Sequence, residues 1–193
     1  MPRRLNFDRE QVLQRAMVLF WERGYEAASV QALTTAMGIN RFSMYNTFGD
    51  KQTLFLAALD YYADHNGSVI LQPIEGEHPN LASIRAYFDQ LLARFQTHPG
   101  SLGCLMAISG AERLNDPATV ERVAAHRTRT QLAFERALRN AADSGELRAD
   151  IYPRRRAAAL TTFAQGLVLQ ARAGASTQTL RAAANAILDD LTP

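Results

Sequence analysis

The chain has 193 residues, of which 47% are hydrophobic and 21% charged, so it can bury a core and is not expected to be disordered. A net charge of +2 is too small to argue for a nucleic-acid partner by itself. The mean hydropathy is −0.19, no apolar run approaches the ~18 residues of a membrane span, and Met1-Pro2-Arg3-Arg4 leads into a charged amphipathic stretch instead of a signal core. A soluble, cytoplasmic protein with no membrane partner is expected.

Every segment reads as helix, because nowhere do β-branched residues alternate with polar ones for a strand's length. The first helix starts at Asp8, whose carboxylate can accept an orphan amide of the first turn. Val12, Leu13, Ala16, Met17 and Phe20 recur on one face, and Gly24 stops it. The second helix runs from Ser29 to Gly38, with Val30, Leu33 and Met37 inward. The third starts at the N-cap Asn40 and runs through Phe48, and Asp50 caps a fourth with Leu54, Phe55, Ala58, Leu59 and Tyr62 as its stripe.

Gly67, Pro73, Gly76 and Pro79 make residues 66–80 the clearest break, where the fourth helix kinks or ends. A fifth helix covers about 80–97, with Ile84, Phe88, Leu91, Leu92 and Phe95 inward, and Pro99-Gly100 ends it. Residues 103–113 form a short apolar helix. Asp116-Pro117 then starts a long seventh helix to Asp143, ended by Gly145. Pro153 opens an eighth that stops at Gly174, and Ser176 caps a ninth. The expected fold is all-α, with about nine helices. Residues 1–50 form a three-helix helix-turn-helix head. Residues 51–193 form a helical ligand-binding and dimerisation body, joined through a connecting helix at 50–66.

Met37-Gly38-Ile39-Asn40 joins the two short helices in helix-turn-helix fashion, and the second of them can enter a DNA major groove. Ile39, Met44 and Phe48 can pack it onto the head. That leaves Arg41, Phe42, Ser43, Tyr45 and Asn46 on the outer side or leading end. Arginine suits guanine and asparagine suits adenine, both bidentately; serine bonds a base edge or phosphate, and phenylalanine can press on a thymine methyl. Arg3 and Arg4 read either as a minor-groove arm or as a solvated terminus.

Residues 8–60 resemble the DNA-binding domain of the TetR family of transcriptional repressors. The carrying stretches are Leu19-Phe20, Arg23-Gly24-Tyr25, Ser29-Val30 and the run Gly38 to Phe48, followed by Gly49-Asp50-Lys51. The resemblance implies a sequence-specific regulator on double-stranded DNA with an inverted-repeat operator. It implies that Tyr45 gives its hydroxyl to a phosphate, that Lys51 contacts the backbone, and that Ser29 holds a phosphate at a helix N-terminus. Lys51 stands out further as the one lysine among 21 basic residues. Arg41, Phe42, Ser43 and Asn46 would face bases. Ala28 stands where the family often has threonine, and Phe42 where a small residue is common, so the operator cannot be borrowed from relatives.

The body resembles a subset related to the N-ethylmaleimide repressor, through Gly103-Cys104-Leu105, Asp116-Pro117, Gly145-Glu146-Leu147-Arg148 and Gln165-Gly166. That resemblance implies a homodimer built on the last two helices and a pocket for a small apolar or electrophilic ligand. Candidate dimer residues are Leu160, Ala164 and Leu167 with Leu180, Ala184, Ile187 and Leu191; the alternative is that one such face packs inside its own subunit. Candidate pocket residues are Tyr62, Phe88, Leu92, Phe95, Cys104, Ile108, Phe134 and Phe163, each of which also reads as ordinary core.

Cys104 is the only cysteine, which excludes an intramolecular disulfide and a zinc site of cysteine pairs. It reads either as a reactive thiol near a helix start or as a small core residue. One sensing chemistry that the resemblance to this subset suggests couples the cysteine to a lysine of the body, and it is excluded because no lysine follows Lys51 at the head end of the connecting helix. The four histidines never fall at ligand spacing, so neither metal nor cofactor is expected. No Walker loop, GxGxxG, GxSxG or HExxH is present, which argues against an enzyme. The expected mechanism is a repressor released by a ligand or by modification of Cys104. The alternatives are a ligand-binding or scaffolding helical protein without a DNA role, and an activator of the same family.

Overall fold

The computed structural model describes residues 7–97, 103–112 and 115–193, and these hold helices and no strand. Arg3 and Arg4, and the predicted stop at Pro99-Gly100, lie outside the described residues. The head is α1 (Arg9–Ala27), α2 (Val30–Met37) and α3 (Arg41–Phe48). Each helix is started by the cap its sequence offers. Asp8 accepts the amides of Glu10 and Gln11, Ser29 that of Ala32, and Asn40 that of Ser43. Gly24 breaks α1 with φ 74° and ψ 173°, a conformation only glycine adopts readily.

The body begins with α4 (Lys51–Tyr62), a π-helical turn at Ala63–Gly67 and α5 (Ser68–Glu75), which follow one another without interruption. The break expected over residues 66–80 is therefore confined to 76–80. Two local facts explain the difference. Gly67 keeps right-handed helical angles, and a Cβ there would sit 3.1 Å from the His126 ring, so the glycine serves a close approach. Pro73 falls in the last turn of α5, where few downstream turns depend on a missing amide.

The remaining helices are α6 (Leu81–Arg94), α7 (Leu105–Glu112), α8 (Pro117–Asp143), α9 (Pro153–Arg172) and α10 (Thr177–Asp189). Two apolar cores result. One joins α5, α6, α8, α9 and α10. The other joins the head and α4 to Leu105, Met106 and Ile108 of α7, so a body helix completes the head's core. The head is also pinned by polar links. Trp21 donates through Nε1 to the Gly103 carbonyl at 3.1 Å, the Tyr25 amide donates to Glu112, and Gln52 donates to Asp116. Arg122 of α8 forks onto both Asp60 oxygens of α4. No helix of the described residues is long and apolar enough to cross a membrane.

Candidate DNA-reading face and body cavity

On α3 the inward residues are Met44 and Phe48, both buried, with half-buried Ile39 packed beside them. A helix so anchored must turn its opposite side outward. Arg41, Phe42, Tyr45 and Asn46 are exposed there, and Ser43 is half-buried at the leading end. Phe42 is 70% exposed, an unusual position for a large apolar ring that nothing in the head covers. The Arg41 guanidinium lies 5.5 Å from the Tyr45 ring centre and donates to its hydroxyl at 3.3 Å, so the two side chains form one pre-set unit.

The candidate phosphate contacts flank this face. Ser29 is exposed, and its oxygen accepts the Ala32 amide, which leaves the hydroxyl hydrogen to donate elsewhere. Lys51 is half-buried at the start of α4, with Nζ 4.4 Å over the Tyr25 ring and 3.5 Å from the Glu26 carbonyl. Its ammonium is thus held beside the head. Asp50 accepts the Thr53 amide at 2.7 Å, and that bond holds its carboxyl below the usual range.

In the body a cavity of about 60 Å³ opens between α4, the π turn, α6, α8 and α9. Of the residues predicted to line it, Tyr62, Phe95 and Cys104 do. Phe88, Leu92, Ile108, Phe134 and Phe163 do not. Phe88 and Phe134 stack on each other at 5.9 Å and, with Leu92, fill the body core at 1% exposure or less. Phe163 packs against Phe88 at 5.7 Å at the edge of that core, and Ile108 belongs to the head's core.

The polar side of the cavity escapes the sequence reading. Tyr87, Arg94, His126, Arg127 and Gln165 line it. A stripe analysis sees α6 and α8 only through their apolar faces, so an arginine or histidine beside the stripe passes as solvated surface. Only Gly67, opposite His126, hints that a ring comes close there.

Cys104 is partly accessible, one residue before α7, and its thiol is pulled two ways. Burial pushes it up, but hydrogen bonds from His126 and Tyr62 and the His126 charge outweigh that, leaving it lowered to about 7. The Tyr62 and Tyr87 hydroxyls are pushed up by burial and then by the neighbouring Cys104 charge, so both stay neutral donors. Nδ1 of His126 is buried without a hydrogen-bond partner among the described residues. No group of three or more metal-ligating side chains occurs among them.

The candidate dimer residues are packed within their own subunit, the alternative that the sequence left open. Leu160, Ala164, Leu167, Leu180, Ala184 and Leu191 are buried within one subunit, and Ala164 lines the cavity. Ile187 packs against the same core. The apolar stripes of α9 and α10 are thus consumed inside the chain. What these helices expose is a face of mostly small residues around one large apolar side chain: Ala159, Thr162, Leu169 at 52% exposure and Ala173, with Gly166 half-buried among them, on α9 and just beyond its end, and Ala182, Ala183 and Ala186 on α10.

Comparison with known proteins places these features in a family context. Residues 12–58 match the family model described as bacterial regulatory proteins, tetR family. Residues 80–187 match the one described as tetracyclin repressor-like, C-terminal domain. The transcriptional repressor ComR of Escherichia coli is 31% identical over 179 residues, which covers 90% of this chain and 84% of ComR. Among solved structures, the TetR-family regulator CifR, a cysteine mutant complexed with 26-bp operator DNA, superposes with a TM-score of 0.84. It is 32% identical, with 97% of this chain and 98% of that chain covered. The reduced form of Escherichia coli NemR gives a TM-score of 0.81 at 25% identity, covering 96% and 97%.

Proposed function

Because the chain belongs to the TetR family and is a dimeric, DNA-binding transcriptional regulator, we propose that it represses from an inverted-repeat operator and lets go when the Cys104 cavity is filled or its thiol modified. Arg41, Phe42, Ser43 and Asn46 read bases, and Ser29, Tyr45 and Lys51 hold phosphates. Two heads must engage half-sites ~34–36 Å apart, so anything that changes the spacing of the heads weakens binding. The protein works in the cytoplasm, where its DNA is.

The observation that carries this reading is the wall shared between cavity and head. Tyr62 is the last residue of α4, lines the cavity and meets Trp21 of α1 edge-on at 5.0 Å. Trp21 in turn hydrogen-bonds the carbonyl of Gly103, the neighbour of Cys104. A group added at Cys104 presses on both contacts at once. The cavity, about 60 Å³, is smaller than the ~150 Å³ void that accommodates benzene. A ligand of that size therefore forces its walls apart, and the wall on the head side is α4. A coupling of ~1–3 kcal/mol would weaken operator binding by about 5–150-fold.

The test begins with selection of the purified protein against random duplexes at physiological salt. Enrichment of an inverted repeat is expected and supplies the probe. Stoichiometric alkylation of Cys104 should then release that probe, and the Cys104→Ser protein should bind it but not respond. Failure to enrich any sequence from folded dimer would refute the DNA reading. A response that persists in Cys104→Ser would refute the thiol switch.

A further inference from the structure

The cavity has a charge character that its apolar walls conceal. Leu71, Leu91, Phe95 and Val168 make it a hydrophobic slot, yet Arg94 and Arg127 also line it. No carboxylate lines it. Residues 98–102 and 113–114 contain no Asp or Glu in sequence either. Most other arginines of these helices are matched by carboxylates, Arg85 by Asp189 on α6, Arg122 by Asp60 and Arg129 by Glu75 on α8, and Arg136 of α8 by the carbonyls of Ile74 and Gly76. Arg94 and Arg127 have no acidic partner among the described residues. Arg94 is half-buried at the last turn of α6, and its charge reaches the Tyr62 hydroxyl, which itself bonds Cys104. Arg127 is exposed, at the solvent side of the slot. Arg94, Tyr62, Cys104 and His126 therefore line one cavity, with the Arg94 charge felt at Tyr62 and both Tyr62 and His126 acting on Cys104.

We propose that this cavity selects small carbon electrophiles that carry a carboxylate, held by Arg94 and Arg127 while Cys104 attacks. The inference rests on the reading of the cavity as the switch and names the chemistry of what enters it. Arginine suits the task because its planar fork bonds a carboxylate bidentately, and the surrounding apolar walls strengthen that attraction by excluding water. The limited volume favours ligands of a few heavy atoms. His126 positions the sulfur and favours its thiolate form. With iodoacetate the balance is simple. The thiol first loses its proton to water; the sulfur–carbon bond then forms, the carbon–iodine bond breaks, and iodide leaves with the electron pair.

Iodoacetate and iodoacetamide differ in charge and hardly in size, and Cys104 is the single cysteine, so every label reports this thiol. Labelling rates are measured by mass spectrometry on the native dimer and on the urea-unfolded chain, which gives the reagents' intrinsic ratio. The native ratio of iodoacetate to iodoacetamide should exceed the unfolded ratio by about tenfold or more. Arg94→Met with Arg127→Met should return it to the unfolded value while leaving the iodoacetamide rate within about twofold. Unreactive propionate should protect the wild-type thiol from both reagents, a readout that needs no variant to fold. Equal native and unfolded ratios, a native thiol that neither reagent reaches, or no protection by propionate would each overturn the proposal. The operator probe separates the two readings. Charge preference without release sinks the Cys104 switch and keeps the selectivity; release by both reagents at equal ratios does the reverse.

Discussion

At Cys104 the decisive contact is with His126, because burial alone would hold the thiol protonated well above neutrality. With a thiol near 7, the alkylation rate of the native protein should rise to a plateau across pH 6 to 8. His126→Ala removes both the hydrogen bond and the charge while leaving the burial, so the midpoint should move upward, past the ordinary cysteine range of ~8.5. The linkage sign follows. The folded thiol lies below its unfolded value, so the unfolded chain binds more protons between about 7 and 9, and stability gained there is lost as pH falls through the folded value. A midpoint unmoved in His126→Ala would assign the lowering to another group. On the DNA face, Arg41→Ala should cost ~1–3 kcal/mol and relax base preference at one position. Lys51→Ala should instead weaken all sequences alike and reduce the salt slope by ~1, which binding titrations at several salt concentrations would separate.

At the scale of elements, one of the links between head and body depends on the backbone geometry of Gly24. Gly24 combines φ 74° with ψ 173°, and a Cβ there would meet the Glu112 carboxylate at 2.5 Å. Gly24→Ala should therefore cost ~2 kcal/mol or more from backbone strain alone and loosen the Tyr25–Glu112 link, read as a lower urea midpoint. This glycine was legible in the sequence as a helix stop, as were the caps at Asp8, Ser29, Asn40, Asp50, Asp116 and Ser176, because capping is local chemistry. The α4–π–α5 run was not legible, because Gly67 and Pro73 carry the local signature of a break. The meaning of Gly67 depends on His126, which approaches from a helix some sixty positions away, and that of Pro73 on where α5 ends. The DNA face was readable for the same local reason as the caps. One short helix must hide Met44 and Phe48, and everything opposite them is thereby displayed. Half of the cavity was not, because Arg94, His126 and Arg127 are brought together only by the packing of α6 against α8.

For the whole molecule the question is which surface a second subunit covers. Most of the bulky stripe of α9 and α10 is spent inside the subunit, which leaves their exposed small residues, with the exposed Leu169 among them, as the face on which two copies can approach closely. Gly166 is the telling position. It lies in the middle of α9, where alanine would favour the helix by ~1 kcal/mol, and among the described residues nothing outside its own helix's nearby backbone lies within 4 Å of where a Cβ would be. Nothing within one subunit therefore calls for a glycine, whereas a partner helix packed against it would. Gly166→Ala should raise monomer stability slightly if the face is free and lower dimer affinity if it is covered. Gly166→Arg sharpens the contrast, since the side chain enters open space in the monomer and a partner's backbone in the dimer. Sedimentation should show this variant folded and monomeric. Operator binding should fall because a single head reaches one half-site only, with affinity for isolated half-sites unchanged. A Gly166→Arg protein that remained dimeric and bound the full operator as tightly as the wild type would place the subunit interface on a different surface.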